Sequence, residues 1–205
     1  MKKLSSVLVL FLFIPFFTFA SLVGDRTIPV EVAQLSDSLK RMYAPDKRVA
    51  LFDVDYSFAG KNVMLRGVTA EAKAALLQGL AKADYKVMDC IQVLPDVKGL
   101  EGKTYGIINV SVANLRAAPD FSSEMMTQGL MGMPVHVLQR DGWYRIQTPD
   151  NYIAWVHRVG IHPVTREELT AWNNAEKIVV TSHYGFVYSQ PSQASQTVSD
   201  VAAGK

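Results

Sequence analysis

Leu115–Gly132 reads LRAAPDFSSEMMTQGLMG, and 72 positions further on Val187–Gly204 reads VYSQPSQASQTVSDVAAG. In that alignment Pro119 falls on Pro191, Ser123 on Ser195 and Gly132 on Gly204. Self-similarity at a fixed period marks a repeated structural unit. The first copy runs on through further strand-like sequence, whereas only Lys205 follows the second. The expectation is a complete first unit, a second one cut short over 177–205, and a chain that forms the front part of a longer protein.

The type of unit follows from what surrounds the first copy. Between Tyr105 and Pro163 there is no helical period. Gly106–Val112 is extended, Val135–Leu138, Trp143–Gln147 and Tyr152–His157 alternate, and Asp141-Gly142 and Pro149-Asp150-Asn151 mark tight turns. Five or so short strands in about sixty residues predict a small all-β barrel over 104–163. Thr165-Arg166-Glu167-Glu168 then forms a capping box, with Val164 and Leu169 placed for a hydrophobic staple. A linker helix over 164–176 is predicted, and Lys177–Thr181 opens the second copy as a strand.

Upstream, residues 21–96 read as a small helix-covered α+β domain. Pro29 suits a first helical turn, and Val32, Leu35, Leu39 and Met42 recur at helical steps until Pro45. Val49–Val54 and Val63–Val68 predict two strands joined by a turn at Ala59–Asn62. Thr69 is the expected N-cap of a helix whose face carries Ala72, Leu76 and Leu80. Tyr85–Leu94 is a third strand, the three forming an antiparallel sheet. Asp96–Lys103, with Gly99 and Gly102, reads as a linker.

Residues 1–20 combine Lys2 and Lys3, an apolar run from Val7 to Phe17 and a small residue at Ala20. This is the pattern of a signal peptide, its apolar core being about half the ~20 residues that span a bilayer. The chain is therefore expected to be exported, periplasmic or extracellular, with no membrane anchor after cleavage. Losing Lys2 and Lys3 reduces 21 Lys and Arg to 19, equal to the 19 Asp and Glu. A balanced chain without basic runs disfavours nucleic acid.

Candidate chemistry is sparse. Cys90 is the only cysteine, which excludes an internal disulfide, and its alternating strand-like surroundings predict a buried or half-buried structural residue. Asp89-Cys90 matches the start of the D-C-S-G nucleophile motif of cell-wall cysteine peptidases but departs at Ile91-Gln92. His136, His157, His162 and His183 lack metal-ligand spacing, so no metal or cofactor is expected. Asp53 and Asp55, two apart on a strand, read as a solvated face, and Trp143 and Trp155 as residues of the barrel core or rim. Met125, Met126, Met131 and Met133 read as a loop and strand entry packing on a neighbour. No catalytic residue is assigned.

The set Asn114-Leu115-Arg116, Pro119, Gly132, Asp141-Gly142-Trp143-Tyr144 and Tyr152-Ile153-Ala154-Trp155-Val156 resembles the bacterial SH3-like domains of secreted cell-wall hydrolases, Ala154 replacing a usual glycine. More narrowly, Ser123–Gln128, Gln147–Asp150 and the paired copies, from about residue 45 to Lys205, resemble the N-terminal half of NlpC-type γ-D-glutamyl-L-diamino-acid endopeptidases (dipeptidyl-peptidase VI-like) of Bacteroides-like bacteria. The resemblance implies two SH3-like domains preceding a papain-like catalytic domain that would lie beyond Lys205. It also implies a substrate-binding role for Glu124 and Tyr152: a carboxylate for the free amine of the stem peptide L-Ala-γ-D-Glu-diamino acid, and an aromatic wall for its small side chain. The expected partners are that peptide and the downstream catalytic domain. The alternative is a non-enzymatic envelope binding protein whose SH3-like domains hold cell-wall peptide or a protein partner.

Overall fold

The computed structural model describes residues 27–204; the signal-peptide reading of residues 1–20 lies outside them. Helix α1 (Val30–Tyr43) follows Pro29, with Glu31 in its first turn and Lys40 and Arg41 in its last, each sign favoured by the helix dipole. It buries Val32, Ser36 and Leu39. Met42, expected on the same face, is 68% exposed, and Tyr43 packs on the core instead. At 3.6 residues per turn Tyr43 lies about 20° from Val32 and Met42 about 80° off.

Strands β1 (Phe52–Ala59) and β2 (Asn62–Thr69) form an antiparallel hairpin around Gly60, whose φ is +60°. Helix α2 (Lys73–Lys82) leads to β3 (Lys86–Val93), which pairs with β2 in parallel. The expected antiparallel sheet is therefore mixed, because a helical crossover between neighbouring strands returns the chain to the same end. Thr69 does not cap α2. Its buried Oγ1 donates to the Leu51 carbonyl at the end of the strand pair, and Ala72 stands at the helix N-cap.

Phe52, Val54, Tyr56 and Phe58 of β1 face the helices with Leu65, Leu76, Leu80 and Ile91. Asp53 and Asp55 alternate to the helix-free face and are exposed, as read from the sequence. Cys90 is a correction: it is exposed. Ile91 takes the inward position on β3, and in a sheet covered on one side its neighbour must point out.

The all-β unit has seven strands rather than five: β4 (Tyr105–Ile108), β5 (Val112–Arg116), β6 (Met125–Leu130), β7 (Pro134–Asp141), β8 (Trp143–Gln147), β9 (Ile153–His157) and β10 (Ile161–Val164). All pairings are antiparallel, in the order β10-β4-β7-β8-β9-β5-β6. Ile108, Leu115, Val137, Ile146 and Val156 share one buried cluster, so the sheet folds over a common core. It is nevertheless an open sheet and not the closed barrel expected. Strand β5 meets β9 at a single residue pair, Arg116 and Trp155, and end strands β10 and β6 are not paired with each other.

Three local corrections follow. Met125 and Met126 belong to strand β6, not to a loop. β10 contains Pro163, tolerated because β10 is an edge strand with β4 as its one neighbour. Leu100, within the stretch read as a linker, is buried in the core of the all-β unit.

Helix α3 (Arg166–Asn174) carries the predicted capping box: the Glu168 N–H donates to Thr165 Oγ1 (3.2 Å) and the Thr165 N–H to Glu168 Oε2 (2.7 Å). Thr165→Ala removes an acceptor for an otherwise unpaired helix-end donor and should destabilise α3 by about 0.5–2 kcal/mol. Faster amide exchange at Glu168 and Leu169 would register it; unchanged exchange would mean that packing alone holds the first turn.

Strands β11 (Tyr184–Tyr188) and β12 (Thr197–Ala202) form a separate two-stranded sheet. This hairpin reproduces the β5–β6 frame at the 72-residue offset. Val112 pairs Leu130 and Tyr184 pairs Ala202, and the register slips between Leu115 and Arg116 and again between Val187 and Tyr188. The Ala118 N–H donates to Ser123 Oγ as the Gln190 N–H does to Ser195 Oγ. The Gly132 N–H reaches the Ile108 carbonyl as the Gly204 N–H reaches that of Val180, with φ of +85° and +88° at the two glycines. Two of the sparse identities of the alignment, Ser123 with Ser195 and Gly132 with Gly204, thus fix one backbone trace.

Candidate functional site

Tyr152 sits at the end of a turn closed by its own neighbours. The Thr148 N–H donates to the Tyr152 carbonyl (2.9 Å), the Asn151 N–H to the Thr148 carbonyl (2.8 Å), and Asn151 takes a φ of +68°, a conformation asparagine tolerates. Thr148 is buried, and its hydroxyl binds Asp150. The turn faces the N-terminal unit. The Ile153 N–H donates to the Arg48 carbonyl (2.6 Å), and Gln147 Nε2 donates to the Val49 carbonyl (3.0 Å).

Arg48 reaches into this site. Its Nη1 donates to the Tyr152 hydroxyl (3.4 Å) and its guanidinium lies 5.8 Å from the ring centroid. Its Nε and Nη2 grip the Asp46 carboxylate, Nη2 at 2.7 Å. These hydrogen bonds hold the Asp46 carboxyl down at about 2, well below the usual carboxylate range, and raise the Arg48 guanidinium further. The pair therefore stays ionised and nearly neutral in sum beside Tyr152 at any pH above about 3.

Glu124 lies elsewhere, in the connection from β5 to β6. Its carbonyl accepts from the Ala117 N–H (2.9 Å), while Arg116 Nη1 donates to the Ser123 carbonyl (2.6 Å). These bonds shape the loop. The Glu124 side chain is exposed and, among the described residues, makes no hydrogen bond or ion pair. Among the described residues, no hydrogen bond joins Glu124 to Tyr152. Their common frame is the β5–β9 junction, since Arg116 beside the Glu124 loop faces Trp155, three residues after Tyr152.

Two clusters carry no sequence signal. Arg145 stacks 5.5 Å from the Trp155 ring, and burial lowers its pKa while the Asp53 carboxylate of the N-terminal unit opposes that shift. Arg145 Nε and Gln139 Oε1, on paired positions of β8 and β7, are buried without hydrogen-bond partners. Phe121, 66% exposed, covers Trp143 and His157 at centroid distances of 4.8 and 5.0 Å. Both tryptophans of the sheet are buried, each 9% exposed, and lie outside its central cluster. Cys90 is paired in register with Arg66, and no group of three or more His, Cys, Asp or Glu side chains among the described residues is placed to hold a metal.

Comparisons with known proteins bear on the all-β unit. Residues 115–160, from the middle of β5 to the turn before β10, match the bacterial dipeptidyl-peptidase Sh3 domain. No curated protein gives a match. Among solved structures, the chain is similar to an NlpC/P60 endopeptidase from Photobacterium damselae subsp. piscicida, at 15% identity and a TM-score of 0.42, over 55% of this chain and 28% of that one. It is also similar to NlpC2 from Trichomonas vaginalis, at 17% identity and a TM-score of 0.27, over 49% of this chain and 35% of that one. The chain thus spans about a third or less of either protein. Glu124 and Tyr152 both lie within the stretch that is similar to the bacterial dipeptidyl-peptidase Sh3 domain.

Proposed function

We propose that this chain is the non-catalytic, substrate-recognising portion of a secreted cell-wall cysteine endopeptidase of the NlpC type, and that it binds the peptidoglycan stem peptide L-Ala-γ-D-Glu-diamino acid. The observation that carries the reading is the match of residues 115–160 to the bacterial dipeptidyl-peptidase Sh3 domain. The recurrence of the same backbone frame at 180–204 supports an incomplete second SH3-like repeat, and the leader-like residues 1–20 support export to the periplasm or beyond.

In this reading Glu124 supplies the carboxylate for the free amine, and Tyr152 walls the alanine side chain. An unpaired Glu124 carboxylate gains from an incoming ammonium without first breaking an ion pair. Arg48 holds the Tyr152 hydroxyl from the N-terminal unit, so little ring freedom is lost on binding. Asp46 offsets the Arg48 charge that would otherwise repel the ammonium.

Calorimetric titration of the purified chain with the tripeptide tests this. Glu124→Gln should weaken binding of the free-amine peptide by roughly 5- to 150-fold, on the order of 1–3 kcal/mol for a charge-assisted contact. It should cost little with the N-acetylated peptide, which has no ammonium to pair. Equal losses on both peptides would reduce Glu124 to a loop-supporting residue. Absence of binding by the unsubstituted chain would sink the recognition role.

A further inference from the structure

Arg48 is held from its backbone outward, yet one edge of its guanidinium is hardly used. Its carbonyl accepts from the Ile153 N–H (2.6 Å), which ties the residue to the first position of β9, next to Tyr152. Its own N–H donates to Asp46 Oδ1 (2.9 Å). Nε donates to Oδ1 at 3.0 Å and Nη2 to Oδ2 at 2.7 Å, so Asp46 occupies the side edge of the fork. A guanidinium has five N–H donors and a second edge, Nη1 with Nη2, that also matches a carboxylate. Among the described residues the partner of Nη1 is the Tyr152 hydroxyl, at a long 3.4 Å. The Arg48 side chain is 54% exposed, so a ligand can reach it.

The peptide proposed for the site at Glu124 and Tyr152 carries a matching group. Linkage through the γ-carboxyl of D-glutamate leaves its α-carboxylate free, on the carbon whose nitrogen alanine acylates. Consecutive α-carbons are about 3.8 Å apart and a carboxyl carbon lies about 1.5 Å further, so this carboxylate is within about 5 Å of the alanine α-carbon. The Arg48 guanidinium lies 5.8 Å from the centroid of the Tyr152 ring that would wall the alanine. The two spans are of the same size. Nη1 has two N–H groups, so a carboxylate and the Tyr152 hydroxyl can be served together.

We propose that Arg48 is a specificity-determining residue of this site, its Nη1–Nη2 edge taking the α-carboxylate of the γ-linked D-glutamate. Stem peptides with a free acid at that position are then favoured over those with a carboxamide. The inference rests on reading Glu124 and Tyr152 as the stem-peptide site, and it gives the N-terminal unit a part in recognition. A carboxamide turns an NH2 toward a fork that only donates, which leaves one Arg48 donor unpaired. Asp46 nearly cancels the charge of Arg48, so selectivity comes from two directed hydrogen bonds rather than from the net field. Asp46 also fixes the fork in advance, so little side-chain freedom is lost on binding.

The test titrates the full chain calorimetrically with L-Ala-γ-D-Glu-L-Lys and with the same tripeptide bearing a carboxamide in place of the α-carboxylate. The unsubstituted chain should bind the acid roughly 5- to 30-fold more tightly, the range for a charge-assisted pair at a half-exposed group. Arg48→Gln should remove this preference by weakening the acid alone. Arg48→Lys should restore just a small part of it, because a point charge does not meet both oxygens. Glu124→Gln should weaken both peptides by the same factor, since both carry the free amine. Equal binding of acid and carboxamide by the unsubstituted chain overturns the proposal. So does an Arg48→Gln loss of equal size on both peptides, which would reduce Arg48 to a support for Tyr152. Either result leaves the free-amine preference at Glu124 standing, so this inference can fail alone. Binding of neither peptide removes the recognition role, and the role of Arg48 with it.

Discussion

Replacing Gly67 by alanine should destabilise the N-terminal unit by about 3 kcal/mol or more, the sum of an unfavourable backbone region and a clash against main chain. Gly67 lies within β2 opposite Val54, at a φ of +121°, where side-chain-bearing residues are strained. A Cβ there would stand 2.0 Å from the Asp53 carbonyl oxygen and 3.0 Å from its carbon. Neither atom can swing aside, since both belong to the neighbouring strand. Relief requires moving β1, and β1 holds Phe52, Val54, Tyr56 and Phe58 in the core.

The shift would also reach the all-β unit, because Asp53 is the carboxylate that acts on the half-buried Arg145. Amide exchange across β1, β2 and β3 should accelerate on the order of 10²-fold, the equivalent of about 3 kcal/mol. Exchange within a few-fold of the unsubstituted protein would show that the sheet accommodates a side chain at this position.

Gly67 illustrates where sequence reading stops. Within Val63–Val68 it looks like a weak point in a strand, and nothing local says that a carbonyl of β1 fills the space a Cβ would need. Patterns confined to one element were legible: the turn at Ala59–Asn62, strand Trp143–Gln147, and the capping box at Thr165 and Glu168. Relations between elements were not. The parallel pairing of β3, the outward turn of Cys90 and the buried Leu100 depend on which face another element covers.

The same limit applies to the site. Tyr152 could be picked out because it belongs to a motif. Arg48, which holds its hydroxyl, lies 104 residues away in sequence, and Val49, bonded by Gln147, lies 98 away. Neither has a periodicity or spacing to betray it. Strand β6 was missed because Met125–Leu130 places Thr127 and Gly129 on its inward face, where an alternating strand would show large apolar residues.

One alignment position, truncated in both copies of the repeat, should give two different results. Leu115→Ala is expected to cost about 2–5 kcal/mol, the range for removing a buried leucine side chain from a packed core. Leu115 is 0% exposed and shares its cluster with Ile108, Val137 and Ile146, supplied by three other strands. Val187→Ala, one repeat later, should change stability by no more than about 0.5 kcal/mol, because the side chain is 43% exposed and truncation opens no closed cavity. Urea unfolding followed by tryptophan fluorescence measures both, since Trp143 and Trp155 sit in the sheet that Leu115 supports. The asymmetry separates backbone recurrence from packing: the two hairpins share register, bulge and turn, yet only the first is covered by β7 and β8. Comparable losses at both positions would mean that the side chain of Val187 is packed in a closed core of its own.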